Sequence, residues 1–121
     1  MPKHILITDD DEFLTNMYSI TLKGAGYEVE VAHDGSEANA KIDAHQPDVL
    51  IVDLLMPHID GFSVIKHARE KGYAFPIIVL SNVSQKMDQQ KCRDMGANDF
   101  LCKMNLDLEG LATKVKEYLP G

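Results

Sequence analysis

Four apolar stretches of this 121-residue chain each run into a polar side chain suited to phosphate or metal chemistry. Ile5-Leu6-Ile7 leads through Thr8 to Asp9, Asp10 and Asp11; Val49 to Val52 leads to Asp53; Ile77 to Leu80 leads to Ser81; Phe100-Leu101-Cys102 leads to Lys103. Three carboxylates gathered at one place repel one another and are driven to protonate unless a cation holds them ionised. Magnesium suits that demand, because it takes oxygen ligands, keeps several waters and is held by one or two carboxylates together with a substrate phosphate. Asp9, Asp10 and Asp53 match it. A hydroxyl and an ammonium at the same place, Ser81 and Lys103, would hydrogen-bond and neutralise the oxygens of a transferring phosphoryl group. A carboxylate such as Asp53 is an established acceptor in that chemistry, forming an aspartyl phosphate.

Each residue also has a plainer reading. Asp9 with Glu12 fits a capping box that opens a helix, and Asp53 fits a strand terminator before the turn at Pro57. Ser81 and Lys103 alone carry little information. The weight lies in their joint occurrence at four run ends.

The elements that must position these residues follow from periodicity. Ile5–Ile7, Val49–Val52 and Ile77–Leu80 are continuous, β-branched runs, as expected for strands buried on both faces of a parallel sheet. Glu28-Val29-Glu30-Val31 alternates and Asp99–Cys102 is short, so both read as edge strands. Helical spacing joins Leu14, Met17, Tyr18, Leu22 and Ala25, and again Leu108, Leu111, Ala112, Val115 and Leu119. Weaker helical patterns cover 36–44, 61–70 and 84–95, the last polar enough to predict a loosely held helix. Gly24, Gly26, Gly72 and Gly96 fall just past these patterns, where a positive φ is usual. Strict β/α alternation over this length predicts one α/β domain with right-handed crossovers. The ends of its parallel strands then share one edge, where such sheets bind ligands.

Composition narrows the function classes. A formal net charge of −7 and the absence of any basic stripe argue against a nucleic-acid surface. Apolar runs of about five residues fall far short of the ~20 needed to span a bilayer, and the N-terminus lacks a signal-peptide core, which predicts a cytoplasmic protein with no membrane partner. Cys92 and Cys102 match no zinc or redox spacing and read as small buried hydrophobes. The five histidines, His4, His33, His45, His58 and His67, form no i,i+4 or HExxH arrangement and read as solvated surface, with only His58 near the site.

The combination Ile5-Leu6-Ile7-Thr8-Asp9-Asp10-Asp11, Val52-Asp53-Leu54-Leu55-Met56-Pro57 with Asp60-Gly61, Val79-Leu80-Ser81, Gly96-Ala97 and Lys103 resembles the receiver domain of two-component response regulators over essentially all of 1–121. The resemblance implies a flavodoxin-like three-layer sandwich, five parallel strands in the order 2-1-3-4-5 with five helices. It implies phosphorylation at Asp53, direct magnesium binding by Asp10, water-mediated binding by Asp9, and a further ligand from the Leu55 carbonyl. Lys103 would pair with Asp53 and later with the phosphoryl oxygens, while Ser81 and Phe100 would form the switch to an output face of helix four, strand five and helix five. The donor would be a sensor histidine kinase or phosphotransfer protein, the downstream protein is unspecified, and dimerisation through the output face is open. No turnover of an outside substrate is expected. Three departures from the family pattern carry expectations of their own. Met104 follows Lys103 where proline is usual, so a trans bond is expected; Asn82 after Ser81 predicts a narrower entrance and slower donor access; Leu55 and Val83 predict slow loss of the phosphoryl group.

Other classes fit less well. A phosphorylation-independent binding module would not need the full acidic set with Lys103. A flavodoxin-type carrier would have its flavin phosphate repelled by three acids after the first strand, and a haloacid-dehalogenase-like phosphatase would need an Asp-x-Asp where Asp53-Leu54-Leu55 stands. The closing Tyr118-Leu119-Pro120-Gly121 predicts no output domain within this chain.

Overall fold

The continuous apolar runs form the interior strands of a single sheet. The computed structural model describes residues 2–54, 56, 60–82, 86–105 and 107–119. The elements alternate in chain order as β1 (His4–Thr8), α1 (Glu12–Gly24), β2 (Glu28–Ala32), α2 (Gly35–Ala44), β3 (Val49–Val52), α3 (Gly61–Glu70), β4 (Ile77–Ser81), α4 (Lys86–Asp94), β5 (Asp99–Cys102) and α5 (Leu108–Tyr118), with a 3-10 turn at Lys103–Asn105. All strand pairs are parallel and the sheet order is β2-β1-β3-β4-β5, as the resemblance implied, with the alternating β2 and the short β5 at its edges.

Why β1, β3 and β4 lack polar alternation is visible in the packing. Successive strand side chains point to opposite faces, and here both faces are covered. Leu6, Leu50, Val52, Ile77 and Val79 pack with Ala38, Ile42, Ile65, Ala68 and Cys92 of α2, α3 and α4. Ile5, Ile7, Val49, Ile51, Ile78 and Leu80 pack with Tyr18, Leu22, Leu111 and Val115 of α1 and α5. Three of the expected glycines do take positive φ, whereas Gly24 is instead the last residue of α1.

The inward face of α1 differs from the expected one. Thr15, Tyr18, Ser19 and Leu22 are buried, while Met17 is 37% and Ile20 70% exposed, and Ala25 is exposed too. Thr15 tolerates burial because its hydroxyl donates to the Glu12 carbonyl at 3.0 Å, and Ser19 is small enough for close approach to the sheet. Polarity is therefore a poor guide to the inward side of this helix. In α4, by contrast, Cys92 is the buried side chain among those described.

Burial pushes the Cys92 thiol up to about 11, so it holds almost no thiolate near neutral pH. Iodoacetamide at pH 8 is expected to leave Cys92 unmodified in the folded protein and to label it once urea unfolds the chain. Peptide mass spectrometry reads the difference, and labelling at equal rates in both states would show that α4 opens freely.

Candidate functional site

The sheet ladder itself fixes the acidic residues. Beyond the paired Thr8 and Val52, the Asp53 N–H donates to the Thr8 carbonyl at 2.9 Å, and the Asp9 N–H donates to the Ala32 carbonyl at 3.0 Å. Asp9 and Asp53 thus continue β1 and β3 by one step, with backbones held as firmly as the strands. Both are buried, 3% and 7% exposed. Asp10 follows Asp9 and is exposed. One carboxylate oxygen from each of Asp9, Asp10 and Asp53 lies within 4.8 Å of the others.

Asp11, rather than Asp9, caps α1: its side chain accepts the Leu14 N–H at 3.1 Å. Asp9 instead accepts the Asp11 N–H at 3.0 Å. The capping-box reading of Asp9 with Glu12 therefore fails, because burial turns the Asp9 side chain into the cleft and leaves the helix start to its neighbour.

Lys103 enters from the turn after β5. Its Nζ lies 2.5 Å from Asp9 Oδ2 and 3.0 Å from Asp53 Oδ2, and all three side chains are at most 9% exposed. The pairing with Asp53 was expected; the shorter one with Asp9 was not. Burial pulls the Lys103 ammonium toward deprotonation, but the hydrogen bond to Asp9 and the charges of Asp53 and Asp9 outweigh it, so its pKa is raised. Burial pushes the Asp9 carboxyl up, and Lys103 and the Asp11 amide only partly offset it. Among the described residues, the Lys103 ammonium contacts two of these three clustered carboxylates, those of Asp9 and Asp53.

These residues line a single cleft of about 400 Å³, walled by Asp9, Asp10, Asp11, Leu14, Asp53, Ser81, Asn82 and Lys103. Ser81 is fully buried at the end of β4, and exposed Asn82 stands next to it. Phe100, partly buried, packs against the α2–α4 side of the core. The Lys103–Met104 bond is trans, as expected without proline, and Met104 is 82% exposed. Leu55, Pro57, His58 and Val83, each given a role by the sequence, lie outside the described residues.

In the sequence Gly61 stands out only as part of the Asp60-Gly61 motif. A Cβ at this position would stand 2.2 Å from the Asp53 carbonyl oxygen and 2.7 Å from the Leu54 Cα. The Gly61 N–H donates to the Leu54 carbonyl at 3.0 Å. The start of α3 is thus packed directly on the backbone that carries Asp53, and spacing alone gives no sign of that contact.

The profile of the response regulator receiver domain matches residues 5–116. The chain belongs to the response regulator receiver family. Among curated relatives, it is 36% identical over 118 residues to the transcriptional regulatory protein TrcR of Mycobacterium tuberculosis, covering 98% of this chain and 46% of that protein. It is 34% identical to the alkaline phosphatase synthesis transcriptional regulatory protein PhoP of Bacillus subtilis, covering 85% of this chain and 43% of that one. The receiver therefore spans about half the length of these relatives. Among solved structures, the Vibrio cholerae chemotaxis protein CheY4 superposes with a TM-score of 0.89 at 34% identity, covering 98% of this chain and 99% of that one. Among the described residues of this receiver, no helix is long and apolar enough to cross a membrane.

Proposed function

We propose that this receiver is a magnesium-dependent phospho-acceptor, with Asp53 as the residue that takes the phosphoryl group from a phosphohistidine on a sensor kinase or phosphotransfer protein. The observation that carries this reading is the convergence of Asp9, Asp10, Asp53, Ser81 and Lys103 from four strand ends on one cleft. An oxygen of the Asp53 carboxylate forms the new bond to phosphorus as the phosphorus–nitrogen bond of the donor breaks, and the electron pair leaves with the imidazole. The bond from the Asp53 amide to the Thr8 carbonyl holds the acceptor in line with β1, so the reaction draws on positioning.

The acidic set fits a hard divalent cation, since three oxygen donors lie within reach of one another and two of them, on Asp9 and Asp53, contact the Lys103 ammonium. Asp9, Asp10 and Asp53 would hold magnesium, with the Leu55 carbonyl as a further ligand. When bound, the ion neutralises charge on the phosphoryl oxygens. Lys103 supplies a second positive charge at the same oxygens, moving from its carboxylate partners to the incoming group. Ser81 donates a hydrogen bond to the phosphorylated form, and Phe100 follows it, biasing the α4–β5–α5 face between two packings. The product stays on the protein, so the domain acts as a signalling element and not as a turnover enzyme.

The test is intact-mass spectrometry after incubation with magnesium and a small acyl phosphate. A gain of one phosphoryl group is expected, abolished by Asp53→Asn and by chelation. No gain in the wild type, with candidate kinases also supplied, would sink the reading in favour of a phosphorylation-independent binding module.

A further inference from the structure

At the opposite edge of the sheet from the acidic cleft, the structure gathers three metal-ligating side chains that the phospho-acceptor chemistry does not use. His4 opens β1, Glu30 lies in β2 and His45 ends α2. The distance to the cleft is about five residues of extended chain, or ~16 Å. By strand alternation His4 shares a face with Leu6, which packs against α2. The His45 ring accordingly stacks on the His4 ring, with centroids 4.7 Å apart and planes within 5°. One ligand atom from each of His4, Glu30 and His45 lies within 4.8 Å of the other two.

His4 is the unusual member. Its side chain is only 9% exposed, and neither ring nitrogen makes a hydrogen bond among the described residues. Nε2 stands 3.0 Å from Glu30 Oε1 without the alignment that a hydrogen bond needs. A buried imidazole with both nitrogens unsatisfied is costly, because its polar atoms have lost water and gained nothing in exchange. Backbone contacts hold it there: the His4 N–H donates to Asp48 Oδ2 and its carbonyl accepts the Asp48 N–H, both at 2.7 Å. Glu30 and His45 are exposed, so both can turn about their side-chain torsions; because imidazole nitrogens bind in the plane of the ring, His45 must rotate out of its stack on His4 for both rings to reach one ion.

From this geometry we infer that His4, Glu30 and His45 bind a divalent transition-metal ion of the zinc class. Two imidazole nitrogens and one carboxylate oxygen suit zinc, copper or nickel, whereas the all-oxygen cleft suits magnesium. Three protein ligands leave further positions for water. Binding satisfies one His4 nitrogen and replaces the misaligned contact with Glu30. Glu30 Oε2 already lies 3.8 Å from Lys41 Nζ, so Lys41 competes weakly for the same carboxylate.

Titration with zinc chloride under excess magnesium, followed by calorimetry and by the imidazole NMR signals, tests the site. One equivalent of zinc is expected to bind and to shift the His4 and His45 ring signals. His45→Ala, an exposed change whose folding circular dichroism checks, is expected to weaken binding by more than the roughly 10–100-fold that loss of an outer-shell partner costs, and Glu30→Gln is expected to weaken it as well. Asp10→Asn is expected to leave zinc binding unchanged. No binding, binding unaffected by His45→Ala, or binding lost only in Asp10→Asn would each overturn the assignment. None of these outcomes bears on phosphoryl transfer, which is read by mass.

Discussion

Lys103→Met is expected to destabilise the metal-free domain by about 3–5 kcal/mol, the usual cost of removing one partner from a buried ion pair. The reason is local. Lys103 Nζ is the cation in contact with both Asp9 and Asp53, and those carboxylates are almost wholly shielded from water. Methionine keeps most of the length of the side chain and removes the charge, so Asp9 and Asp53 lose the ammonium they share while both stay buried. A divalent cation is the natural substitute, so magnesium is expected to return part of the loss and to stabilise the variant more than the wild type. Urea unfolding of both proteins with and without magnesium chloride measures this. An unchanged midpoint for the variant in metal-free buffer would mean that the carboxylates reach solvent more readily than their burial indicates. Phosphoryl uptake should also fall sharply, because magnesium replaces the positive charge of Lys103 but not its position.

The second large effect is expected at a residue with no side chain. Gly61→Ala places a methyl group 2.2 Å from the Asp53 carbonyl oxygen, 2.7 Å from the Leu54 Cα and 2.9 Å from the Asp53 carbonyl carbon. All three obstacles are backbone, so no rotamer change relieves the clash. Either α3 backs away from β3 or the backbone of Asp53 shifts out of line with Thr8. Overpacking of this kind costs typically about 1–3 kcal/mol, and misplacing the acceptor should lower the rate of phosphoryl uptake as well. Gly24→Ala is the matched control. It lies at the end of α1, a Cβ there meets nothing within 4 Å, and alanine is the better helix former. Thermal unfolding together with acyl-phosphate uptake should show losses in both for Gly61→Ala and neither for Gly24→Ala. Equal behaviour of the two variants would mean that α3 gives way without cost.

Most of the fold was legible because its signals are local. Val49-Leu50-Ile51-Val52 reads as a strand buried on both faces from four residues alone, and 61–70 was bounded as a helix that the structure reproduces as Gly61–Glu70. The cleft was legible for a related reason, since a parallel sheet brings residues that follow successive strands to one edge. What escaped depends on contacts between distant positions. Nothing near Lys103 in sequence says that it will lie closer to Asp9 than to Asp53, and nothing around His4 says that it will be buried under His45, so the expectation of solvated histidines failed there. The face of α1 escaped for another reason. Apolar counting favours Met17 and Ala25, whereas the helix turns Thr15 and Ser19 inward, a choice of face that side-chain polarity does not signal.

The way Asp53 is held has a mechanical corollary. Its amide is tied to β1, the next backbone segment is pinned by α3 through Gly61, and its carboxylate is clamped by Lys103. Under the proposed phosphoryl transfer, a residue so anchored yields little, and charge added there is not accommodated by displacing it. The load passes to whatever neighbours are softest. On the β4–β5 side, α4 is a short, polar helix, and Phe100 on the edge strand is only partly enclosed. Under that proposal, stiffness at the point of input and a thinner rim on the α4–β5 side would give the domain a preferred direction of deformation.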